Sequence, residues 1–508
     1  MKHQETQQRQ QQPNIKPLLL ALAASFALAA CSVGPDYVRP QMQEAGAPAV
    51  FKEGQNWQPA QPRDLAADGK WWEMFGDAQL NALVDQVEIS NQNLALAEAN
   101  FRSAMALVQS SRAAYSPTLD ASASATRSRS ASGSTSSSST GVRNAYSFAL
   151  NASWEADIWG RVRRDVEASS ASAQASAADL AGARLSAQAS LAQSYLQLRV
   201  LDAQQKLLDE TVEAYQRSYQ LTQNQYAAGM VAKSDVIQAQ SQLKSAQASA
   251  LDNGVSRAQV EHAIALLVGK TPSNFNLPKA PLAAGAPPIP QGVPSMLLER
   301  RPDVAAAERR VASANARIGV AKAAYFPSLT LSASGGYQSS SFADWFSLPG
   351  RVWSLGPQLA QSIFDGGARR AATDQAIATY DGTVATYKQT VLTAFQEVED
   401  NLAALRILEQ EAAVQDEALQ AARQAVTLVT NQYKAGTVSY VNVITAQATA
   451  LSAERTSLDI LNRRMSASVL LAKALGGGWN EASLADLQPL AEQSGEKAKS
   501  LKENAALR

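Results

Sequence analysis

Two stretches of this chain carry nearly the same residues 207 positions apart. Asn224 to Gln240 reads NQYAAGMVAKSDVIQAQ and Asn431 to Gln447 reads NQYKAGTVSYVNVITAQ, with 10 of 17 positions identical. The pairing recurs upstream. AAYSP ends at Pro117 and AAYFP at Pro327, and GRVRR (Gly160 to Arg164) matches GGARR (Gly366 to Arg370). A solenoid unit has a period of roughly 20–50 residues, far shorter than this one. Two copies of one sizeable module are implied. The chain is therefore pseudo-symmetric, and its function must use both halves.

The N-terminus reads as an export segment. Lys2, Arg9 and Lys16 give it a positive start, and Leu18 to Ala30 form an apolar run of 13 residues. A helix spanning a bilayer needs about 20. The run ends in Leu28-Ala29-Ala30-Cys31, which resembles the bacterial lipoprotein cleavage box. Small residues there fit a narrow peptidase groove, and the thiol accepts a diacylglycerol group. Cys31 is the only cysteine in the sequence, so no disulfide framework accounts for it. Ser32 follows it, where an aspartate is the cue that retains such lipoproteins in the inner membrane. The mature chain is thus expected to begin at lipidated Cys31 in the outer membrane, where each buried acyl CH₂ contributes about 0.8 kcal/mol of anchoring. No other run of 18 or more apolar residues exists. Any further crossing of a membrane must be made by strands.

Composition narrows the class. Charged residues make up 18% of the chain and the net charge is zero, so nothing invites nucleic acid. Ala, Ser and Gln dominate the middle of each half, which suits closely packed helices. Tryptophans at 57, 71 and 72 lead from a Pro-rich start into helical periodicity over about Gln79 to Ala114. Two segments of period two follow, with Leu119, Ala121, Ala123 and Ala125 on one face and then Tyr146, Phe148, Leu150, Ala152 and Trp154. That alternation marks strands. A Ser/Thr/Gly run from Arg127 to Arg143 separates them as a loop. A long helix is predicted from about Arg161 to Tyr226, broken at Gly229, with Ser234 placed to cap a helix that continues to Val268.

The second half repeats the order. A helix is predicted from about Pro302 to Ala324 and a strand carrying Leu329, Leu331 and Ala333. Another strand follows with Trp353, Leu355, Leu359 and Ile363 on one face, then a long helix from about Ala368 to Tyr433, a break at Gly436, and a last helix ending near Leu475. The chain divides into an export segment (1–30), a lipidated extended segment (31–70), a first module (71–270), a Pro-rich linker (271–294), a second module (295–478) and a charged tail (479–508).

In the second long helix Val384, Val391, Val398, Leu405, Ala412, Leu419, Val426 and Tyr433 fall seven apart, which specifies a coiled-coil seam. Each long helix would reach about 100 Å at 1.5 Å per residue. A rod of that length exceeds any bilayer and suits an aqueous compartment. The four strands, about ten residues each, have the length of tilted transmembrane strands. Four cannot close a barrel, and open edges are not tolerated in lipid. Hydrogen-bond satisfaction therefore requires several copies. Tyr146, Trp154, Tyr337 and Trp353 near the strand ends fit an interfacial aromatic belt.

The strings CSVGPDY (Cys31 to Tyr37), RRPDVAAAERRVASANARIGVAKAAYFPSLTLS (Arg300 to Ser332), IFDGG (Ile363 to Gly367) and the paired QY-x-AG turns resemble the bacterial outer-membrane efflux proteins of the TolC-like family, lipoprotein branch. The resemblance covers nearly the whole mature chain. It implies a mainly α fold with a transmembrane β part. Three chains would form a 12-stranded outer-membrane barrel, four strands each, continued by a long periplasmic α-helical barrel. It also implies partnership with a periplasmic adaptor and an inner-membrane pump, and export of small molecules. The turns bearing Tyr226, Gly229, Val231, Tyr433, Gly436 and Val438 would then dock the adaptor. Family members carry an aspartate ring after the second turn; here Thr445 and Ala448 stand at those positions, with Val441 as the constriction candidate and Asp235 as an alternative carboxylate.

Other functions fit less well. A protein-secretion conduit would share the same wall, and a coiled-coil lipoprotein without a pore would leave the strands unexplained. No enzyme is expected, because the mature chain has one histidine, His262, and no spare cysteine. Gly269-Lys270-Thr271 echoes a phosphate loop, but Ile264 stands where that loop needs glycine. No metal-ligand spacing is present. No cofactor is expected beyond the covalent lipid on Cys31, and no nucleic acid.

Overall fold

The structure, a computed structural model, describes residues 33–40, 51–52, 69–129, 142–281 and 300–479. Cys31, the export segment, Trp57, most of the linker and nearly all of the charged tail lie outside the described residues. The first module supplies α1 (Ala78–Ser90), α2 (Gln92–Ala113), β1 (Thr118–Arg129), β2 (Val142–Ala156), α3 (Arg161–Ala227) and α4 (Lys233–Leu267). The second supplies α5 (Pro302–Ala323), β3 (Ser328–Ser339), β4 (Arg351–Ala360), α6 (Ala368–Lys434) and α7 (Tyr440–Ala474). The duplication is literal in length: α2 and α5 have 22 residues, α3 and α6 have 67, and α4 and α7 have 35. Among the described residues no helix is long and apolar enough to cross a membrane.

Two compact units form, and each draws on both modules. One gathers residues 33–40, 104–173 and 309–384; the other holds the remaining described chain. The second unit has an aliphatic and aromatic core. Trp71, Trp72, Leu80, Val84, Val87, Leu191, Tyr195, Leu198, Ile264, Met465 and Val469 are buried in one cluster. The seven-residue seam of α6 turns inward as its spacing requires. Val391 and Val398 are fully buried, and Leu405 and Tyr433 nearly so.

The helix expected over Gln79 to Ala114 is two helices. Asn91 leaves the helical region (φ −69°, ψ 121°), and its Oδ1 accepts from the N–H groups of Asn93 at 2.9 Å and Leu94 at 3.2 Å, capping α2. The side chain thereby satisfies two of the N–H groups that a helix start leaves open. Periodicity alone does not show the break, because the apolar spacing continues across it.

α5 begins at the equivalent place one module later. Arg301 and Asp303 bracket Pro302, which suits a first helical position because it has no N–H to satisfy. Two further corrections concern helix and strand ends. Ser234 lies inside α4, whose preceding residue is Ala232 with no side-chain cap. β4 stops at Ala360, leaving Ile363 outside the strand and 95% exposed.

The first unit holds one antiparallel meander in the order β1-β2-β3-β4. β1 and β4 are its edges. Asp157 turns β2 into α3 by accepting from the N–H groups of Val162 at 2.9 Å and Arg163 at 2.8 Å. Asp365 does the same at the start of α6, accepting from Gly367 at 3.0 Å and Arg369 at 3.2 Å. Val33 to Pro40 lies along this unit. The Val33 N–H donates to the Trp159 carbonyl at 3.2 Å, Asn315 donates to the Pro35 carbonyl at 3.0 Å, and Arg164 pairs with Asp36 at 2.8 Å. Gly34, at φ +108°, comes so close to the Gly319 backbone that a Cβ would collide with it. The two family strings that hold Gly34 and Gly319 therefore meet in space.

Candidate functional site

The sheet sorts its side chains by face. Cross-strand register puts Ala123, Phe148, Tyr337 and Arg351 in one row, then Ala121, Leu150, Gly335 and Trp353, then Leu119, Ala152, Ala333 and Leu355. Trp154, Leu331 and Pro357 form the next row, and Leu329 with Leu359 the last. All of these rows lie on one face, because side chains along a strand alternate. The other face is one of hydroxyls and amides. Ser122, Ser124, Ser147, Asn151, Ser332, Ser334 and Ser354 lie there, with Ser124–Ser147 and Ser334–Ser354 hydroxyl pairs at 2.8 and 2.9 Å.

Among the described residues nothing covers the apolar face at the edge strands. Leu119 is 70% exposed, Trp353 75%, Leu355 76% and Leu359 70%. In water this would be a severe liability; in hydrocarbon it is the natural surface. A strand of about ten residues, at about 3.3 Å each and tilted about 40°, gives a band about 25 Å tall, the height of an outer-membrane barrel's apolar belt.

An aromatic cluster absent from the sequence-based expectation extends this face. In the β3–β4 connection Phe342 and Trp345 lie 5.6 Å from the Tyr146 ring, and Phe346 lies 5.5 Å from Tyr337 and 6.0 Å from Phe148. Three aromatics within five loop residues are the available signal. It is easily lost, because loops are read for turn chemistry and not for burial.

The two glycine turns are built alike. Gly229 (φ 72°) donates to the Tyr226 carbonyl and Met230 to that of Gln225, both at 2.9 Å. Gly436 (φ 75°) donates to Tyr433 at 2.9 Å and Thr437 to Gln432 at 3.0 Å. Each is a Schellman closure, in which a left-handed residue lets the chain satisfy the last helical carbonyls. A Cβ at either glycine would meet nothing within 4 Å, so only the backbone angle demands glycine.

The duplicated residues around these turns are used differently. Tyr433 is buried and its hydroxyl donates to Gln225 Oε1 at 2.7 Å, while its ring lies 5.3 Å from that of Tyr440. Tyr226, its counterpart, is 46% exposed. Tyr433, Tyr440, Val443 and Ala239 thus form a small core that joins the two hairpins. Burial pushes both phenols above their ordinary range, with Asp235 adding to the effect on Tyr433. Both stay neutral hydrogen-bond donors at physiological pH.

Of the other expected residues, Val231 and Val438 are half-buried at the turns. Asp235 sits half-buried in the first turn of α4, where a carboxylate favours the helix dipole. Val441 is exposed on α7, and its carbonyl accepts from the Thr445 hydroxyl one turn on, at 3.0 Å. His262 is exposed on α4. Gly269 and Lys270 close α4 by donating to the carbonyls of Leu266 and Ala265, the same closure as at the tips.

Comparison with known proteins follows the same lines. A family model described as outer membrane efflux protein matches residues 83–270 and 293–477. The chain is 32% identical over 469 residues to the antibiotic efflux pump outer membrane protein ArpC of Pseudomonas putida, covering 92% of this chain and 96% of that protein. It is equally similar, at 32% over 469 residues with the same coverage, to the toluene efflux pump outer membrane protein TtgC of Pseudomonas putida. Among solved structures, that of the outer-membrane channel OprN matches with a TM-score of 0.82 at 31% identity, over 88% of this chain and 100% of that one.

Proposed function

This chain belongs to the outer membrane efflux protein family, and we propose that three copies close a single 12-stranded barrel that small apolar molecules traverse on their way out. As a member it is an outer-membrane efflux channel protein. One observation carries the shared pore: a four-stranded sheet with an exposed apolar face, a hydroxyl-lined opposite face and two open edges. In hydrocarbon each edge must find a strand. Pairing β1 of one copy with β4 of the next satisfies both edges, and hydroxyls then line the water-filled interior.

The long helices carry the path through the periplasm. Energy for transport comes from an inner-membrane pump, since the channel wall offers passage and no reaction. The exposed Tyr226, with Val231 and Val438 beside Gly229 and Gly436, forms the surface that meets a periplasmic adaptor; buried Tyr433 holds that surface together from behind. Asp235 and Val441, in the first turns of α4 and α7, and Thr445, one turn further along α7, are the residues assigned to the closing end.

The lipid anchor fits the same scheme. Trp159 lies three residues beyond the end of β2, and its carbonyl holds Val33. Val33, the first described residue after the lipidation site, is thereby held at the helix-side end of the sheet, the end at which a lipid anchor is placed in this scheme. Proteins named for antibiotic and toluene efflux among the relatives point to small apolar cargo.

Purified full-length protein tests the reading directly. Native mass measurement should give three copies per particle carrying acyl mass on Cys31, and insertion into a planar bilayer should give discrete conductance steps. A monomer that inserts without conductance would refute the pore.

A further inference from the structure

We propose that the outward end of the sheet is a binding surface for the phosphate groups of anionic outer-leaflet lipid, formed by Arg127, Arg129 and Arg351. The placement follows from register. Arg127 faces Asn144, Arg129 faces Val142, and Arg351 faces Tyr337. Arg127 and Arg129 alternate in step with Leu119, Ala121, Ala123 and Ala125, and Arg351 in step with Trp353, Leu355 and Leu359. All three guanidiniums therefore stand on the apolar, lipid-facing side, and all three residues are exposed.

Their height on the sheet is also fixed. The strands enter α3 and α6 at one end, through Asp157 and Asp365, so the two hairpin connections mark the opposite end, away from the helices. The arginines occupy the last rows before those connections. Tyr146 lies in the row below Arg127, Phe148 and Tyr337 share the row of Arg351, and Trp353 lies one row lower; Phe342, Trp345 and Phe346 pack against these rings, and below them comes the aliphatic band. Charge and aromatic ring above an aliphatic band match the way an anionic lipid presents phosphate and glycerol or sugar above its acyl tail.

A guanidinium on the lipid face costs about 2–4 kcal/mol at mid-bilayer and about 0–1 near the interface. The rim is therefore where arginine is tolerated, and its partners there must be anions. Among the described residues none of the three has a carboxylate partner, and the only carboxylate at this end is the exposed Asp344. The planar fork of arginine matches phosphate oxygens in pairs.

Resting on the trimeric reading above, the surface becomes denser on assembly. Arg127 and Arg129 lie on one edge strand and Arg351 on the other. Closing the ring brings the two edges together, so both sides of each seam between copies carry guanidiniums on the lipid face. A lipid bound there would tie neighbouring copies.

Full-length protein in detergent, titrated with diphosphorylated lipid A or with phosphatidylethanolamine and read by native mass spectrometry, provides the test. Changing all three residues to Gln (R127Q, R129Q and R351Q together) should weaken lipid A binding by about tenfold to a hundredfold. Phosphatidylethanolamine retention should stay unchanged, and the corresponding Lys triple should keep most of the lipid A affinity. Raising the salt on unaltered protein should release lipid A selectively, which needs no variant. Equal lipid A affinity in the Gln triple, or equal loss of both lipids, would overturn the proposal while leaving the trimer standing. A monomeric mass for unaltered protein would instead overturn the pore reading and the seam with it.

Discussion

Asn91 and Arg301 hold equivalent places in the two modules, and each turns a side-chain N–H onto the last carbonyls of the helix that closes its module. Asn91 Nδ2 donates to the Leu267 carbonyl at 2.8 Å, and Arg301 Nη1 to the Ala474 carbonyl at 3.1 Å. Leu267 and Ala474 each end a helix of 35 residues. One stapling contact has thus been kept in both copies with different chemistry. Arg301 also bonds Asp303 through both carboxylate oxygens, at 3.0 and 2.7 Å, and pairs with Glu397 on α6 at 2.7 Å.

Removing the arginine should therefore do more damage than removing the asparagine. Arg301→Ala leaves a buried carbonyl and two carboxylates without their donor, an effect of about 1–3 kcal/mol. Asn91→Ala removes a cap and one hydrogen bond, about 1 kcal/mol. Thermal unfolding of the detergent-solubilised protein should rank the two in that order, and the opposite ranking would contradict the shared role.

The same cluster sets an acid limit. Burial alone would raise the Asp303 carboxyl, but the bonds and charge of Arg301 outweigh it and hold Asp303 below its ordinary value of 3.8. A carboxyl depressed in the folded state stabilises above its unfolded pKa and loses that contribution as pH falls through the folded one. Stability of the unaltered protein should consequently drop on acidification below about pH 4. Asp303→Asn should be less stable at neutral pH and show a shallower acid loss. Parallel acid profiles for the two proteins would remove Asp303 as a cause.

Much of this architecture is legible in the residues, for physical reasons that also explain the misses. Strand alternation and the seven-residue seam report which side chains leave water, so the sheet faces and the inward side of α6 emerge from pattern alone. Asn91 escapes such a reading because a cap can sit inside a run of unbroken apolar spacing. Its kinship with Arg301 is hidden further: the modules are offset by 207 residues along the long helices but by 210 from α2 to α5, and the residue types differ. Spacing puts Ile363 in β4, yet Asp365 draws the chain into α6 before that strand can continue. Repetition misleads most at the tips, where Tyr226 and Tyr433 are identical in sequence and opposite in exposure.

The tip glycines separate backbone need from surface need. With nothing within 4 Å of a Cβ, a substitution at Gly229 or Gly436 meets only the left-handed backbone, at φ 72° and 75°. Asn tolerates that region, whereas a β-branched residue loses about 1–2 kcal/mol there. Gly229→Asn and Gly436→Asn should keep both the melting temperature and drug tolerance of the host. Gly229→Val and Gly436→Val should keep the trimer but lower efflux, read as increased sensitivity to an exported drug. Undiminished efflux in the Val variants would exclude a docking role for these turns.

Tyr433 offers a cleaner probe of how the hairpins are held together, because its hydroxyl can be removed without disturbing its ring. The 2.7 Å bond to Gln225 joins the second hairpin to the first, and burial keeps the phenol protonated. Tyr433→Phe should loosen the pair by about 0.5–1.5 kcal/mol, which corresponds to roughly a twofold to tenfold shift toward separated hairpins. Single-channel recording should show longer or more frequent open events in that variant. The effect should be insensitive to pH between about 5 and 9, since no group in the bond titrates there. Tyr226→Phe, altered at an exposed side chain, should leave the recordings of the isolated channel unchanged. If the two variants gated alike, the bond from the buried Tyr433 hydroxyl to Gln225 would not be what holds the hairpins together.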